Sequence, residues 1–508
     1  MNQARFKKAE PSGTGIALAL AAGAAMALGA WISVTTSHPE SSSAQTASKP
    51  NIVFILTDDM RYDDLTATYM PKTTSLLINR GMAFDNAFVS NPLCCPSRAT
   101  IMRGQYAHNT GVWRTTNVFD PDPNVRDGGW EGYKNNGYED NNVATHLHAA
   151  GYRTGFFGKY LNGYNDTNTH IPKGWDRWFA TEEGYFDYDV NDQGTIKHFG
   201  TDANDYQTDV LKRRASAFVG TSVTAGKPFF AYVAPKAPHD PAIPAPRDIH
   251  TFDGVQDPRL PSFDEEDVSD KPPWMRSLSR LSSADEANIR QRHADRVESL
   301  QAVDDLVAAV VRKLRDKGVL SNTYIVFTSD NGWYHGEHRI RQGKARPYEE
   351  APHVPLVIRG PGVRADSTTA KLALNTDYLP TFTGLAGART PNYVDGRSLL
   401  PILTERATAW RTAILLEGTV EIPSLLFREG RNYGGVRTST TKYVEYEGGF
   451  RELYDLAPGA DPYEQNNIYY EAASNVAPRP ELKARLDALK SCAGADASAT
   501  SCKTAEDG

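Results

Sequence analysis

The chain has 508 residues, of which 40% are hydrophobic and 23% are charged, and its 55 basic against 62 acidic residues give a formal net charge of −7. These values are ordinary for a globular protein and allow one large domain with a smaller one beside it. They exclude a nucleic-acid partner, because such proteins concentrate basic residues on one face and no long basic run follows residue 10.

Residues 1–45 differ in composition from the rest of the chain. Three basic residues, Arg5, Lys7 and Lys8, precede an apolar run over residues 15–34, and a spacer rich in Ser and Thr follows. This order predicts an export signal. Because the apolar run is long enough to span a bilayer, an uncleaved membrane anchor is the alternative. In both cases we expect the remaining chain to lie outside the cytoplasm, either secreted or membrane-anchored.

Four short apolar runs rich in β-branched and aromatic residues predict buried strands. They cover residues 51–57, 153–158, 228–234 and 323–329. Helical patterns lie between them at residues 71–80, 142–150 and 282–317, and a glycine suited to a helix C-cap follows each one. Strands that alternate with helices predict an α/β fold, with a mostly parallel sheet between two helix layers.

Polar residues follow each of the four predicted strands. They are Asp58, Asp59, Lys159, His239, Asp330 and Asn331. Because ligands bind at the carboxyl ends of the strands in such folds, we expect these side chains to form one site. Asp58, Asp59, Asp330 and Asn331 offer only oxygen ligands, which suit Ca²⁺ or Mg²⁺ better than zinc. The acidic segment 187–192 is excluded as an EF-hand, since it lacks that loop's glycine and closing glutamate.

The four cysteines form two pairs in the sequence. Cys94 and Cys95 are adjacent, and adjacent cysteines pair with each other only under strain. Cys492 and Cys502 flank a short loop near the C-terminus, where export would allow a disulfide; two solvated thiols are the alternative.

The residues around Cys94 predict a binding site for an oxyanion. Pro96 suits the first position of a helix, so Cys94 would lie at a helix N-terminus, where backbone N–H groups and the dipole favour negative charge. Arg98 adds a fixed positive charge. With Lys159, Lys344 and a divalent cation nearby, this site would hold a tetrahedral oxyanion.

The stretch Cys94-Cys-Pro-Ser-Arg98, continued to His108, resembles the signature of the type I sulfatases. The resemblance extends over most of the chain after residue 50, through motifs at 51–59, 157–162, 237–239, 327–332 and 452–466. The Cys-Cys pair and the motif at 158–162 are most similar to N-acetylglucosamine-6-sulfatases and extracellular heparan sulfatases. The resemblance implies an alkaline-phosphatase-like fold and hydrolysis of a sulfate monoester to an alcohol and inorganic sulfate. The substrate would be a sulfated small molecule or glycan, such as a sulfated amino sugar or an aryl sulfate.

The resemblance also implies a modification and a metal. In the family, the cysteine that corresponds to Cys94 is oxidised to formylglycine by a formylglycine-generating enzyme. Its hydrated gem-diol would be the nucleophile, and expulsion of sulfate by its second hydroxyl would regenerate the aldehyde. The residues that match the family's metal ligands are Asp58, Asp59, Cys94, Asp330 and Asn331. They would bind Ca²⁺, with Mg²⁺ as the alternative.

The remaining roles that the resemblance implies concern charge and protons. Arg98 would fix the gem-diol, and Lys159 and Lys344 would bind the sulfate oxygens and stabilise the charge that moves in the transition state. His239 would protonate the leaving alcohol.

One position departs from the family pattern. Many sulfatases have a histidine that assists sulfate elimination where this chain has Leu161. His108 and His335 are candidates to replace it, and His108 is included among the predicted catalytic residues.

After about residue 405 the pattern changes to strands that follow strands. Runs at 413–417, 433–438, 442–446 and 451–456, and a helix at 480–490, predict a small antiparallel subdomain. The predicted organisation is therefore an export or anchor segment (1–45), a catalytic α/β domain (46–405) and a C-terminal subdomain (406–508).

Two alternatives to a sulfatase remain. A related hydrolase of phosphate or phosphonate esters would use a site of the same shape. A secreted binding protein with an unmodified Cys94 would use none of this chemistry.

Overall fold

A computed structural model describes residues 49–115, 128–164, 167–419, 432–470, 480–494 and 500–508. The predicted export or anchor segment lies outside the described residues and stays a prediction. Within those ranges, no helix combines the length and the apolarity that a membrane crossing requires.

The described strands form one large sheet and two small ones. They are β1 (Asn51–Thr57), β2 (Met82–Phe84), β3 (Ala87–Phe88), β4 (Arg153–Lys159), β5 (Arg177–Thr181), β6 (Tyr188–Asp192), β7 (Thr195–Phe199), β8 (Phe229–Ala234), β9 (Thr323–Ser329), β10 (Leu356–Arg359), β11 (Ser367–Thr369), β12 (Ala373–Leu374), β13 (Ala413–Thr419), β14 (Asn432–Thr438), β15 (Thr441–Tyr446) and β16 (Arg451–Asp455). The large sheet has the order β11-β2-β10-β9-β1-β8-β4-β5-β6-β7. All four strands predicted from apolar runs are present.

The centre of the large sheet is parallel, and its flanks are mixed. Strands β9, β1, β8, β4 and β5 run parallel to one another, and in β1 Phe54 lies opposite Tyr232 on one side and Val326 on the other. Strands β10, β6 and β7 pair antiparallel with their neighbours. This mixed sheet with a parallel centre confirms the predicted fold class.

Helices cover both faces of the large sheet, as the alternating pattern predicts. They are α1 (Pro71–Leu76), α2 (Cys94–Arg103), α3 (Ala107–Thr110), α4 (Gly129–Asn135), α5 (Val143–Ala149), α6 (Gln207–Thr224), α7 (Pro273–Arg276), α8 (Ser283–Asp316), α9 (Tyr378–Leu385), α10 (Leu400–Leu403), α11 (Pro480–Ser491) and α12 (Cys502–Asp507). Apolar residues of α2, α5 and α9 pack on one face, and those of α6 and α8 pack on the other. Alternate residues of β1 point into these two cores: Phe54 into the first, and Val53 and Ile55 into the second.

Two of the three glycines predicted as helix C-caps have left-handed backbone, with φ of +86° at Gly151 and +70° at Gly318. Gly81 is also a helix C-cap, since it follows the helical turn Ile78–Arg80 and its N–H donates to the Ile78 carbonyl oxygen, but its backbone is extended, with φ of −149°. A Cβ at Gly81 would lie 2.4 Å from the carbonyl oxygen of Ile358, so close approach of two backbones requires this glycine.

The C-terminal part contains the predicted antiparallel sheet, with strands in the order β13-β14-β15-β16 and helix α11 packed beside it. Its apolar face contacts Phe88 and Tyr106, so its core is continuous with the segment around α2 and α3. Residues Ser48–Gly508 cluster as one compact unit. The boundary near residue 405 stays a prediction.

A disulfide joins Cys492 to Cys502, as predicted for an exported chain. Both cysteines are buried in the core of the C-terminal sheet, and the bond ties the end of α11 to the start of α12. Cys94 and Cys95 are not bonded to each other, and both are buried.

We expect the double variant Cys492→Ser and Cys502→Ser to lower the free energy of unfolding by about 2–3 kcal/mol, since the bond restricts a short loop in the unfolded chain. Urea unfolding followed by circular dichroism would measure this change. Reductant should destabilise the wild type by a similar amount and leave the double variant unaffected. Equal stability of the two proteins under oxidising conditions would contradict the prediction.

Candidate functional site

The polar residues predicted at the strand ends lie together at one edge of the large sheet. Strands β9, β1, β8 and β4 are consecutive neighbours and run parallel, so their carboxyl ends meet. These ends carry Asp58, Asp59, Lys159, His239, Asp330 and Asn331. All of them except His239 are fully buried.

Helix α2 brings Cys94 to this edge. The helix begins at Cys94, so Pro96 is its third residue and not its first. The Cys94 Sγ lies 2.8 Å from Lys344 Nζ, 3.5 Å from Asp58 Oδ1 and 3.8 Å from Asp59 Oδ1. The sulfur therefore stands between carboxylates and an ammonium group, as the sequence predicts.

Two buried cations, Lys159 and Arg98, and the largely buried Lys344 balance the three buried carboxylates of the site. Lys159 Nζ donates to Asp58 Oδ2 at 2.6 Å, and Lys344 Nζ pairs with Asp59 Oδ1. Arg98 donates through Nε to Asp330 Oδ2 at 2.7 Å and through Nη1 to the carbonyl oxygen of Lys159, also at 2.7 Å. Charges this far from water are tolerated only when they are paired in this way.

Burial and neighbouring charges shift the pKa values of these groups in different directions. Burial would raise the pKa of Asp58, but Lys159, His239 and Arg98 outweigh it and hold that pKa well below its usual range. Burial and repulsion from Asp58 raise the pKa of Asp330 to about 6. Burial also raises the pKa of the Cys94 thiol far above its usual value, despite the nearby lysines. An unmodified Cys94 would therefore be a neutral thiol at pH 7, and neutral thiols are poor nucleophiles.

His239 lies at the rim of the site with one ring nitrogen fixed. Its Nδ1 is 2.6 Å from the carbonyl oxygen of Asp240, so Nδ1 carries a proton and donates to that oxygen. Its Nε2 lies 3.6 Å from Asp59 Oδ2. Burial lowers the pKa of His239 to about 4, although Asp59 and Asp58 oppose that shift. At pH 7 the ring is neutral and its Nε2 is a proton acceptor.

The donor set fits a hard divalent cation. Ligand atoms of Asp58, Asp59, Cys94 and His239 lie within 4.8 Å of one another. Asp59 Oδ2 and Asn331 Oδ1 are buried and have no hydrogen-bond donor, which is costly for oxygen atoms unless a cation or water completes them. Carboxylate and amide oxygens of this kind suit Ca²⁺ or Mg²⁺.

The backbone at Asp59 adopts a left-handed conformation with φ of +67°, which is uncommon for a residue other than glycine. Its amide donates to Asp330 Oδ1 at 3.1 Å, and its carbonyl oxygen accepts from the guanidinium of Arg296. Arg296 Nη1 also donates to the carbonyl oxygen of Pro238 at 3.0 Å. Arg296 therefore fixes both the Asp59 turn and the loop that carries His239.

Arg296 and Lys236 are two residues at this edge that the sequence analysis missed. Arg296 is a buried cation in α8. The sequence did contain a signal for it, namely a charged residue at a position of the helical pattern where an apolar residue is expected. Lys236 lies between β8 and His239 and is also buried. No periodic pattern distinguishes a lysine in such a loop from a surface residue.

The structure does not bring His108 to this cluster, and its predicted catalytic role is corrected. His108 Nδ1 lies 2.9 Å from Glu417 Oε2, and Nε2 lies 3.0 Å from the carbonyl oxygen of Cys492. Both ring nitrogens are therefore engaged between α3 and the C-terminal sheet. The ring connects these two parts of the chain and does not face Cys94.

Comparison with known families gives two matches. A model described as Sulfatase matches residues 50–388, and one described as N-sulphoglucosamine sulphohydrolase, C-terminal, matches residues 336–491. The first covers every predicted site residue, including Lys344.

Known sulfatases are similar in sequence to most of this chain. It is 36% identical over 380 residues to an "Extracellular sulfatase SULF-1 homolog" of Drosophila melanogaster, covering 73% of this chain and 33% of that protein. The chain thus spans a third of the length of this relative. It is 32% identical over 489 residues to the N-acetylglucosamine-6-sulfatase of Homo sapiens, covering 88% of this chain and 85% of that protein.

Solved structures share the architecture. One of them, described as a complex with its substrate D-glucosamine-2-N,6-O-disulfate, superposes with a TM-score of 0.71 and 25% identity. The match covers 87% of this chain and 97% of that chain. The predicted fold is confirmed by this similarity.

We expect Ca²⁺ to raise the free energy of unfolding of the wild type by about 2.7 kcal/mol at a concentration 100 times its dissociation constant. A ligand that binds only the folded state stabilises that state by mass action. The variant Asn331→Ala removes a buried amide oxygen that accepts no hydrogen bond, and it should lose most of this gain in stability. Thermal unfolding with Ca²⁺ and with a chelator would measure the difference for each protein. His108→Gln is the control and should retain the full gain; an undiminished gain in Asn331→Ala would contradict the assignment.

The contact between His108 and Glu417 predicts a pH-dependent stability. Burial lowers the pKa of His108, but Glu417 and the Cys492 carbonyl raise it more strongly, to about 9. Because this folded-state pKa exceeds the unfolded value near 6.5, the contribution is complete below about pH 6.5 and is lost as pH rises through about 9. Relative to His108→Gln, the wild type should lose about 2–3 kcal/mol between pH 6 and pH 10.

Urea unfolding of both proteins at the two pH values would measure that difference, and their comparison removes the effect of other titrating groups. Parallel pH dependence of the wild type and His108→Gln would contradict the pairing.

Proposed function

The chain belongs to the sulfatase family, and on that premise we propose that it hydrolyses a sulfate monoester to an alcohol and inorganic sulfate. The observation that carries this proposal is the position of Cys94. Its Sγ lies 2.8 Å from Lys344 Nζ and 3.5 Å from Asp58 Oδ1, at a site where Lys159 and Arg98 are also buried. Nothing in a simple binding site requires so many buried charges around one side chain.

Two groups would complete the chemistry of this site. Cys94, oxidised to formylglycine by a formylglycine-generating enzyme, would supply a hydroxyl nucleophile when hydrated. Asp58, Asp59, Asp330 and Asn331 would hold Ca²⁺, with Mg²⁺ as the alternative, and the ion would supply positive charge beside the sulfate. The raised pKa of the unmodified thiol supports the first assignment, since a neutral thiol would contribute little.

The cations of the chain would bind and orient the sulfate. Lys344 contacts Cys94 directly, and Lys159 reaches the same group of carboxylates from β4. Both ammonium groups stay charged at neutral pH, because the carboxylates raise their pKa values more than burial lowers them. Arg98 holds Asp330 and the end of β4 in place. Fixed positive charges near a reacting oxyanion stabilise the charge that develops in the transition state.

His239 would donate the proton to the leaving alcohol. Its Nδ1 is fixed by the Asp240 carbonyl, so Nε2 is the nitrogen that exchanges protons at the rim. Its low pKa reflects burial near Lys159 and Lys344, and a bound sulfate would offset those positive charges. Binding of the anion would therefore favour the protonated ring when the leaving group needs a proton.

A sulfated amino sugar is the proposed substrate class, with an aryl sulfate as the simpler assay substrate. The names of the human relative and of the substrate-bound structure support this proposal, since both concern sulfated glucosamine. We also propose that residues 1–45 direct export, so that the enzyme acts outside the cytoplasm. The buried disulfide supports this location, because such bonds persist in oxidising compartments.

We expect Cys94→Ala to reduce the rate of sulfate ester hydrolysis at least about a thousandfold, because removal of a nucleophile abolishes the covalent route. Steady-state hydrolysis of nitrophenyl sulfate with Ca²⁺ would measure the loss. Cys95→Ala is the matched control. Cys95 is adjacent to Cys94 in the sequence, but its side chain belongs to the hydrophobic core, so this variant should retain activity if it folds.

Peptide mass spectrometry of the active wild type should find an aldehyde at Cys94. An intact thiol in active protein, or full activity in Cys94→Ala, would overturn the proposal. Hydrolysis of the matched nitrophenyl phosphate and phosphonate esters distinguishes a sulfatase from the related hydrolase. Faster hydrolysis of those esters than of the sulfate would identify a phosphate or phosphonate hydrolase.

A further inference from the structure

An ion pair that the proposed reaction does not use lies at the same edge of the sheet. Lys236 follows β8 and Glu183 follows β5, each by two residues, and Lys236 Nζ contacts Glu183 Oε2. Strands β8, β4 and β5 are parallel neighbours, so this pair stands beside the strand end that carries Lys159. The Lys236 amide donates to Gln207 Oε1 at 2.9 Å, which fixes the start of its loop.

The charges that act on Lys236 are those of the Cys94 site. Burial lowers its pKa to about 8, and Lys159 lowers it as well, while Asp58, Asp59 and Cys94 raise it. Lys236 is therefore within electrostatic range of the nucleophile position. It still does not contact the carboxylates of the site, which Lys159, Lys344 and Arg98 already neutralise.

The two partners of this pair differ in their exposure. The side chain of Lys236 is 6% exposed, whereas that of Glu183 is 44% exposed. Within the described residues, Lys236 is the only group that pairs with the Glu183 carboxylate. A largely buried ammonium thus depends on one solvent-accessible counter-ion, which can turn away at low cost if another anion takes its place.

We propose that Lys236 forms a subsite for a second anionic group of the substrate, which displaces the Glu183 carboxylate when it binds. The ligand class is a sulfated sugar that carries a further sulfate or carboxylate near the reacting ester. Exchange of one anion for another keeps the buried ammonium paired, so the net charge around Lys236 does not change. This inference rests on the proposed sulfatase function and defines its specificity.

The proposal assigns opposite effects to the two residues. Removal of the Lys236 charge takes away a charge-assisted contact to the second anion, and removal of the Glu183 charge takes away its competitor. Neither change alters the groups that hold the reacting sulfate. Substrates with a single anionic group should therefore respond little to either substitution.

The test compares N-acetylglucosamine 6-sulfate with N-sulfoglucosamine 6-sulfate, which differ by one anionic group. Lys236→Met should lower kcat/KM for the N-sulfo substrate about tenfold, through a higher KM, and change the N-acetyl value little. Glu183→Gln should raise kcat/KM for the N-sulfo substrate. Lys236→Arg should keep the wild-type preference, because it keeps the charge.

Lys212→Met is a matched control, since Lys212 pairs with Asp209 within α6. It should leave both values unchanged, and thermal unfolding should show that every variant is folded. If the wild type turns over only aryl sulfates, the two sugars are tested as inhibitors of aryl sulfate hydrolysis. Their inhibition constants should then change between variants by the same factors as expected for kcat/KM.

An unchanged preference in Lys236→Met, or an equal loss for both sugars, would overturn the subsite. A decrease of N-sulfo turnover in Glu183→Gln would overturn the exchange of anions. Failure of the wild type to hydrolyse any sulfate ester would instead overturn the proposed function, so the two failures are distinguishable.

Discussion

The site depends on compensation between buried charges of opposite sign. Asp58, Asp59 and Asp330 lie in the interior, where an unpaired carboxylate would cost several kcal/mol. Lys159, Lys344 and Arg98 offset this cost by direct contact with the carboxylates. Lys344 also contacts Cys94, and Lys159 and Arg98 lie within electrostatic range of that position. The arrangement that makes the carboxylates tolerable is thus also the one that attracts an oxyanion.

The parallel centre of the sheet makes this compensation possible. Strands β1, β8 and β9 are followed by their polar residues, β4 ends on Lys159, and these four neighbouring strands end at the same edge. The apolar runs give those strands two covered faces, so the charges meet at the edge of a rigid core. Arg296 then ties the Asp59 turn to the loop that carries His239, so these two parts of the site are held in a fixed relation.

The protonation state of Cys94 connects this electrostatics to the chemistry. Burial keeps the thiol neutral even with two lysines nearby, so the site is poorly suited to a cysteine nucleophile. A hydroxyl derived from this position would need no thiolate. Its charge would develop only as it attacks, next to cations that are already in place. Burial likewise lowers the pKa of His239 and keeps its ring neutral at pH 7, although Asp59 and Asp58 oppose that shift.

The sequence by itself determined the central strands of the large sheet, the C-terminal strands and most of the candidate site. Apolar runs gave the four central strands, because a strand buried on both faces needs continuous apolar residues, and the Cys94 motif carried the family resemblance. Local spacing also indicated Asp58, Asp59, Lys159, Asp330 and Asn331, since strand ends of a parallel sheet converge.

Only the tertiary structure decided which more distant side chains reach that edge. It placed His108 against Glu417 and Cys492, because α3 packs on the C-terminal sheet, which local sequence does not encode. It also brought Lys236 to Glu183, which are 53 positions apart in the sequence, and Arg296 to Asp59, which are 237 positions apart. A pairing at such separations follows from how helices and loops pack, and not from the pattern of any one segment.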